Sequence, residues 1–201
     1  MHPPDTAVDA GTDLTARRGY HHGNLRESLL EAARRLTAER GPHGFTLAEA
    51  ARLAGVSASA PYRHFRDKDA LLSELGHRGF VEFGQRMRDA AMAGGLVAMG
   101  PAYLRFAREE PGYYGVMFGW QQPKEGEVER SSSFSALVNA IARAFPASVD
   151  PERARLLGLQ IWAMSHGVAG LERGGWPPAS SGVPRPEEVL SMAVSNLIRA
   201  G

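Results

Sequence analysis

The side chains best equipped for recognition chemistry crowd one short segment, Ser57-Ala58-Ser59-Ala60-Pro61-Tyr62-Arg63. Its hydroxyls, phenol and guanidinium are hydrogen-bonding groups of the kind that read an edge or a backbone. Catalytic signatures are missing: no G-x-S-x-G, H-E-x-x-H, P-loop or Rossmann fingerprint occurs, so the chain does not read as an enzyme. His21-His22 lacks the third and fourth ligands a metal needs, and without cysteine there is neither a thiolate site nor a disulfide. No metal or cofactor is expected. In the second half His166 follows Trp162 by four residues on an apolar helical face. There a core histidine satisfied by its neighbours competes with a polar anchor for a ligand.

Helices must carry these groups, because strand signals are nearly absent and apolar residues recur at three- and four-residue spacing. Asn24 with Glu27 forms a capping-box-like pair for a first helix whose Leu25, Leu29, Ala32, Ala33 and Leu36 share a face, ending at Gly41-Pro42. Thr46 with Glu49 opens a second, Leu47 to Leu53, stopped by Gly55. Ser57 caps a third through Phe65, although Pro61 removes one helical hydrogen bond and moves the start towards Ser59. Joined at Ala54-Gly55-Val56 and locked by Leu47, Ala51, Val56 and Phe65, the pair forms a helix-turn-helix pattern, which a generic helix pair in a bundle would also show. Outward-facing Ser57, Ala58, Ser59, Tyr62 and Arg63 are then free to enter a major groove.

Asp67 caps a fourth helix with apolar positions running to Phe80, Phe83 and Met87, broken at Gly94-Gly95. Then come Leu96 to Glu110, a short helix around Tyr113 to Phe118, and Phe134 to Phe145. A long helix runs from Pro151 to about Arg173 with Gly174-Gly175 as its stop. After a Pro/Ser/Gly loop, Pro186 opens a last helix with Val189, Leu190, Ala193, Leu197 and Ile198 on one side. The fold class is all-α.

Charge is uneven. Residues 15–70 hold ten Lys/Arg against six Asp/Glu, net +4, which leaves −3 for the rest of a chain of net charge +1. A basic block of this kind suits nucleic acid, and equally a solvated helical surface. Residues 1–16 are polar and aperiodic, and are expected to be a disordered tail without the apolar stretch of a signal peptide. Leu156 to Leu171, interrupted by Gln160, Ser165 and His166, is too short and polar to span a bilayer. A soluble, cytoplasmic protein without membrane contact is expected.

The wording of the basic block is more specific. Phe45-Thr46-Leu47-Ala48-Glu49-Ala50-Ala51, Ala54-Gly55-Val56-Ser57 and Tyr62-Arg63-His64-Phe65-Arg66-Asp67-Lys68-Asp69-Ala70-Leu71-Leu72 resemble the tetracycline-repressor (TetR-like) family of transcriptional regulators over about fifty residues. Trp162-Ala163-Met164-Ser165-His166-Gly167, with Phe106-Ala107-Arg108-Glu109-Glu110-Pro111 and Met117-Phe118-Gly119, resembles a subgroup whose effector domain carries a Trp…His-Gly signature.

The resemblance implies roles. Tyr62, His64 and Lys68 match positions that meet DNA phosphates, and each can donate to a phosphate oxygen. Thr46, an N-cap, sits where it can do the same. Ser57, Ala58 and Ser59 occupy base-reading positions but are small, so sequence reading leans on Arg63, shape or water. Arg18, in Arg17-Arg18-Gly19-Tyr20, is either a minor-groove arm or part of a floppy tail. An effector pocket would draw on Phe83, Met87, Tyr103, Phe106 and Met117, and on Phe118, Trp120, Trp162 and His166. The last two helices would pair with a partner's in a homodimer, with Ala154, Gly158, Ala169 and Gly170 allowing close approach.

The expected organisation is a tail (1–16), a three-helix DNA-binding domain (17–66), a connecting helix (67–90) and a larger helical effector-binding and dimerisation domain (91–201). The expected function is a repressor released from a palindromic double-stranded operator by a small, largely apolar effector. Two alternatives remain: a DNA-binding regulator whose core is filled by its own side chains, and an all-helical enzyme or small-molecule carrier.

Overall fold

The computed structural model describes residues 25–119, 127–145 and 149–199, and within them every regular element is helical. Asn24, His21-His22, the arm with Arg17 and Arg18, the tail 1–16 and Trp120 lie outside the described residues. Seven α-helices follow in order: α1 (Leu25–Arg40), α2 (Leu47–Leu53), α3 (Lys68–Glu109), α4 (Pro111–Gly119), α5 (Glu127–Ala144), α6 (Pro151–Gly175) and α7 (Pro186–Arg199).

Capping chemistry sets the starts. Thr46 and Glu49 form a full capping box on α2, the Asp67 side chain accepts from Ala70 N at 2.7 Å, and Asp150 does the same for Arg153 N at 2.8 Å. Glu27, paired with Asn24 in the sequence reading, has its carboxylate held by Arg78 of α3. α3 is two helical segments, because Gly94 (φ −148°, ψ 16°) and Gly95 (φ 64°, ψ −155°) leave helical geometry. The Gly174-Gly175 stop falls at the end of α6 rather than beyond it, and α5 begins well before Phe134.

Two hydrophobic cores result. One joins α1, α2 and the first turns of α3 through Leu29, Leu36, Ala51, Phe65, Leu71 and Leu75. The other gathers the rest of α3 with α4 to α7 around Phe80, Phe106, Leu104, Ile141 and Leu190. α3 contributes to both. So does α4: Val116 is fully buried in the first core, while Tyr114 and Met117 sit in the second. Close packing admits α4 against α1 only because it carries glycine there. A Cβ at Gly112 would lie 2.2 Å from the Arg34 carbonyl oxygen. Arg34 also reaches Glu110 at 3.1 Å, while Arg26 reaches Glu74 of α3 at 2.8 Å. Such partly exposed pairs add little stability each but fix register.

Candidate nucleic-acid interface and internal cavity

α2 ends in a tight reversal. Gly55 adopts φ +75°, its N–H donates to Arg52 O at 3.1 Å, and Val56 N–H donates to Ala51 O at 3.0 Å. This is a Schellman closure, in which a left-handed glycine satisfies the last carbonyls. Leu47, Ala51 and Phe65 are buried behind it, and Val56 is half-buried.

The element that follows is shorter than a helix from Ser57 to Phe65. Only Ala60–Arg63 is helical, as one 3-10 turn with Ser59 as N-cap, and Pro61 lies in its first turn. Proline explains the difference. Without an N–H it cannot sit at the fourth position of a helix begun at Ser57, whereas near a helix start that donor is not required. Its ring is fully buried and anchors the turn, while its carbonyl accepts from both His64 N and Phe65 N at 2.9 Å.

Around this anchor the polar residues face outward. Ser57, Ala58, Ser59, Arg63 and His64 are exposed, and Tyr62 is 62% exposed. Ser57 Oγ and Ser59 Oγ are 3.2 Å apart and share a hydrogen bond. Two further candidates are engaged elsewhere. Thr46 Oγ1 donates to Glu49 Oε2 at 2.9 Å, so meeting a phosphate requires exchanging that bond. Lys68 Nζ donates to Phe45 O at 2.6 Å and lies 4.5 Å from the Phe45 ring centroid. Partial burial there lowers the ammonium pKa. Lys68 therefore ties the start of α3 to the entrance of α2, with further N–H groups left to donate.

These placements separate two variants. His64→Ala should leave the melting temperature unchanged, since the ring is exposed. It should flatten the log K against log salt plot by about 0.9 for one lost phosphate contact, on operator and random duplex alike. Lys68→Ala should produce the same flattening and also cost about 1 kcal/mol of stability, through the lost bond and ring contact. Salt titrations and thermal melts of both variants check this. An unchanged slope in both removes these residues from the interface.

The second core encloses a cavity of about 260 Å³ between α3, α5, α6 and α7. Of the pocket residues expected from the sequence, Phe83, Met87, Tyr103 and Trp162 line it. Phe106, Met117, Phe118 and His166 stand outside the lining. Phe106 packs behind Phe83 at 5.2 Å between ring centroids, and Met117 fills the space beside Gly79.

His166 is the centre of a satisfied aromatic cluster. Tyr103 and Tyr114 hydroxyls lie 2.9 and 2.7 Å from its Nδ1, Phe118 meets it edge-on at 4.1 Å, and Trp162 stacks on it at 5.9 Å. Burial lowers its pKa, which favours the neutral ring, and its Nδ1 shares hydrogen bonds with both hydroxyls. The histidine braces the wall residues Tyr103 and Trp162 and joins them to Tyr114 of α4.

Sequence reasoning missed several contributors. Leu190, Val194 and Ile198 line the cavity from α7, a helix whose apolar face the sequence reading gives to a partner. Ser133 and Leu137 line it from α5. The close-approach residues also fall differently: Ala154, Gly158 and Ala169 are buried within the protomer, and a Cβ at Gly158 would meet Val138 of α5 at 3.1 Å. Gly170 alone of the four faces open space. Among the described residues no cluster of three or more acidic or histidine side chains could hold a metal, and no helix is long and apolar enough to cross a membrane.

Comparison with known proteins agrees with both halves. Residues 29–75 match the bacterial regulatory proteins of the tetR family, and residues 96–197 match the tetracyclin repressor-like C-terminal domain. A helix-turn-helix transcriptional regulator of Mycobacterium tuberculosis is 30% identical over 149 residues, 71% of each chain. A regulator of the same kind from Bacillus subtilis is 27% identical over 96 residues, a match that spans half of that relative. Among solved structures, a protein of unknown function from Rhodococcus sp. RHA1 superimposes with a TM-score of 0.75 at 30% identity, covering 91% of this chain and 98% of that one. The TetR family regulator PfmR from Thermus thermophilus shares the fold with a TM-score of 0.67 at 20% identity, over 85% and 97% of the chains. The chain belongs to the tetracycline-repressor family of bacterial transcriptional regulators and is not an enzyme.

Proposed function

We propose that this protein is a cytoplasmic homodimeric repressor that grips a palindromic operator and is released when a small, largely apolar molecule occupies the cavity. The observation that carries this reading is the position of α3. Its first turns pack into the DNA-binding core through Leu71, Leu72 and Leu75, and further on Phe80, Phe83 and Met87 wall the cavity. A ligand that presses on this wall acts on the same helix that packs into the core behind the recognition turn.

α4 supplies a second connection. It spans from the Arg34–Glu110 pair and the Gly112 contact on α1 to Tyr114 at His166, behind the Tyr103 wall. A volume near 260 Å³ favours a ligand over a core filled by its own side chains, since cavities of about 150 Å³ already admit benzene.

Dimerisation is supported by the outer face of α6. Leu156, Leu159, Ala163, Gly167, Gly170 and Gly174 are all exposed and follow the three- and four-residue spacing of a helix-packing seam. Nothing lies within 4 Å of a Cβ built at any of those three glycines.

Filling the cavity from within tests release without a known effector. Leu137→Trp places an indole into the space from α5. A seated ring should hold or raise the melting temperature, and it should weaken operator binding about 5- to 150-fold, the usual range of allosteric coupling. Full operator affinity in a variant whose melting temperature shows the ring is seated would overturn ligand release.

A further inference from the structure

We infer that the cavity takes an uncharged, largely apolar ligand bearing one hydroxyl or carbonyl oxygen, and that Ser133 binds this oxygen. The inference rests on reading the cavity as the effector site.

Among the described residues no Lys, Arg, Asp, Glu or His side chain belongs to the cavity lining. A carboxylate or ammonium entering it would lose water without gaining a counter-charge. The Tyr103 hydroxyl in the wall is already paired with His166 Nδ1 at 2.9 Å, and four serines also break the apolar lining, each in a different situation. Ser165 is buried, but its hydroxyl already donates to Ile161 O at 2.8 Å. Ser191 is exposed and Ser195 half-buried, so both keep access to water. Ser133 is 8% exposed, and its Oγ has no hydrogen-bond partner.

An unpaired buried hydroxyl is costly, and one at a cavity wall loses that cost when a ligand oxygen pairs with it. The facing helix packs closely at this point without offering a hydrogen-bonding side chain. Gly84 of α3 stands opposite, where a Cβ would come within 3.3 Å of Ser133 Oγ. Arg88 approaches the same glycine, but it is exposed, bonded to Gln85 Oε1 at 2.8 Å, and absent from the lining. The lining extends from exposed Val97 and Pro101 to buried Phe83, Met87 and Ser133. An elongated ligand enters with its apolar body outermost and its oxygen leading.

Three probes of one shape separate the terms: butylbenzene, 4-butylphenol and 4-butylbenzoate. Each is titrated calorimetrically at pH 7.5 into the full-length wild type, Ser133→Ala and Ser165→Ala. The phenol should bind roughly two- to tenfold more tightly than butylbenzene, the worth of one net hydrogen bond. The benzoate should bind at least about tenfold more weakly than the phenol. Ser133→Ala should erase the phenol's advantage and leave butylbenzene unchanged, while Ser165→Ala should preserve the ratio. Because Ser133→Ala removes an unpaired group, its melting temperature should not fall. A phenol advantage that survives Ser133→Ala, or a benzoate as tight as the phenol, overturns the inference while butylbenzene binding leaves the cavity reading intact. Failure of all three probes to bind overturns the cavity reading as well.

Discussion

Leu159→Glu should yield a folded monomer that has lost its grip on operator DNA. Leu159 is 55% exposed on α6, its seam neighbour Leu156 is 56% exposed, and neither belongs to the hydrophobic core, so a carboxylate at position 159 can stay in water on a lone protomer. Between two copies it places like charges at a helix seam, where they repel and lose water. A dimer that engages two half-sites binds about 10²- to 10⁴-fold more tightly than either half alone, so operator affinity should fall by at least about a hundredfold. Leu197 is a poorer choice for this purpose. It packs partly against the protomer's own core, and a charge there would confuse unfolding with dissociation. Light scattering, far-ultraviolet circular dichroism and operator titration decide the matter. A variant that remains dimeric at micromolar concentration moves the interface away from this face of α6.

Gly112→Ala should destabilise the protein far more than a methyl group usually does. The added carbon would lie 2.2 Å from the Arg34 carbonyl oxygen and 2.9 Å from its carbonyl carbon, both backbone atoms of α1. Neither moves unless α4 leaves α1, so the overpacking cost should reach about 2–3 kcal/mol. That corresponds to a melting temperature lower by roughly 4–12 °C for a chain of this size. Gly115→Ala is the control one turn along. Its methyl would meet the Thr37 Cγ2 methyl at 3.1 Å, and a side chain can shift where a carbonyl cannot, so it should cost under about 1 kcal/mol. The pair also probes communication. With α4 displaced, Leu137→Trp in the Gly112→Ala background should weaken operator binding less than it does alone. Equal melting temperatures for Gly112→Ala and wild type would mean that the α1–α4 contact is not formed as described.

Local chemistry made much of the fold legible. Leu47–Leu53 is bounded by a capping box at Thr46 and a glycine at φ +75°, and both are written in the sequence because each is a short-range hydrogen-bond problem. Asp67 and Gly94-Gly95 are of the same kind. Pro61 pointed to a late start for the recognition element, and the single turn Ala60–Arg63 follows from it.

What stayed hidden depends on which of two apolar faces turns inward. Gly158 and Ala154 look like partner-facing small residues until α5 is seen against them, and Leu190 looks like a dimer contact until it closes the cavity. The extra turns of α5 before Phe134 carry Ser131-Ser132-Ser133, a run with no apolar period to mark it. Gly112 meets Arg34 across 78 residues of sequence, a pairing no local pattern announces. Lys68 and His166 were visible as chemistry, but their partners Phe45 O, Tyr103 and Tyr114 belong to tertiary structure.

In the proposed complex two copies present the Ser57–His64 surface to a symmetric site. Selecting duplexes from a random pool with the purified full-length protein, and sequencing those retained, tests it most directly. An inverted repeat whose half-site centres are separated by about one helical turn, roughly 34–36 Å, or a multiple of it, should be enriched. Leu159→Glu should lose that enrichment. Retention of unrelated sequences, or of a single half-site bound equally well by the monomer, would contradict it.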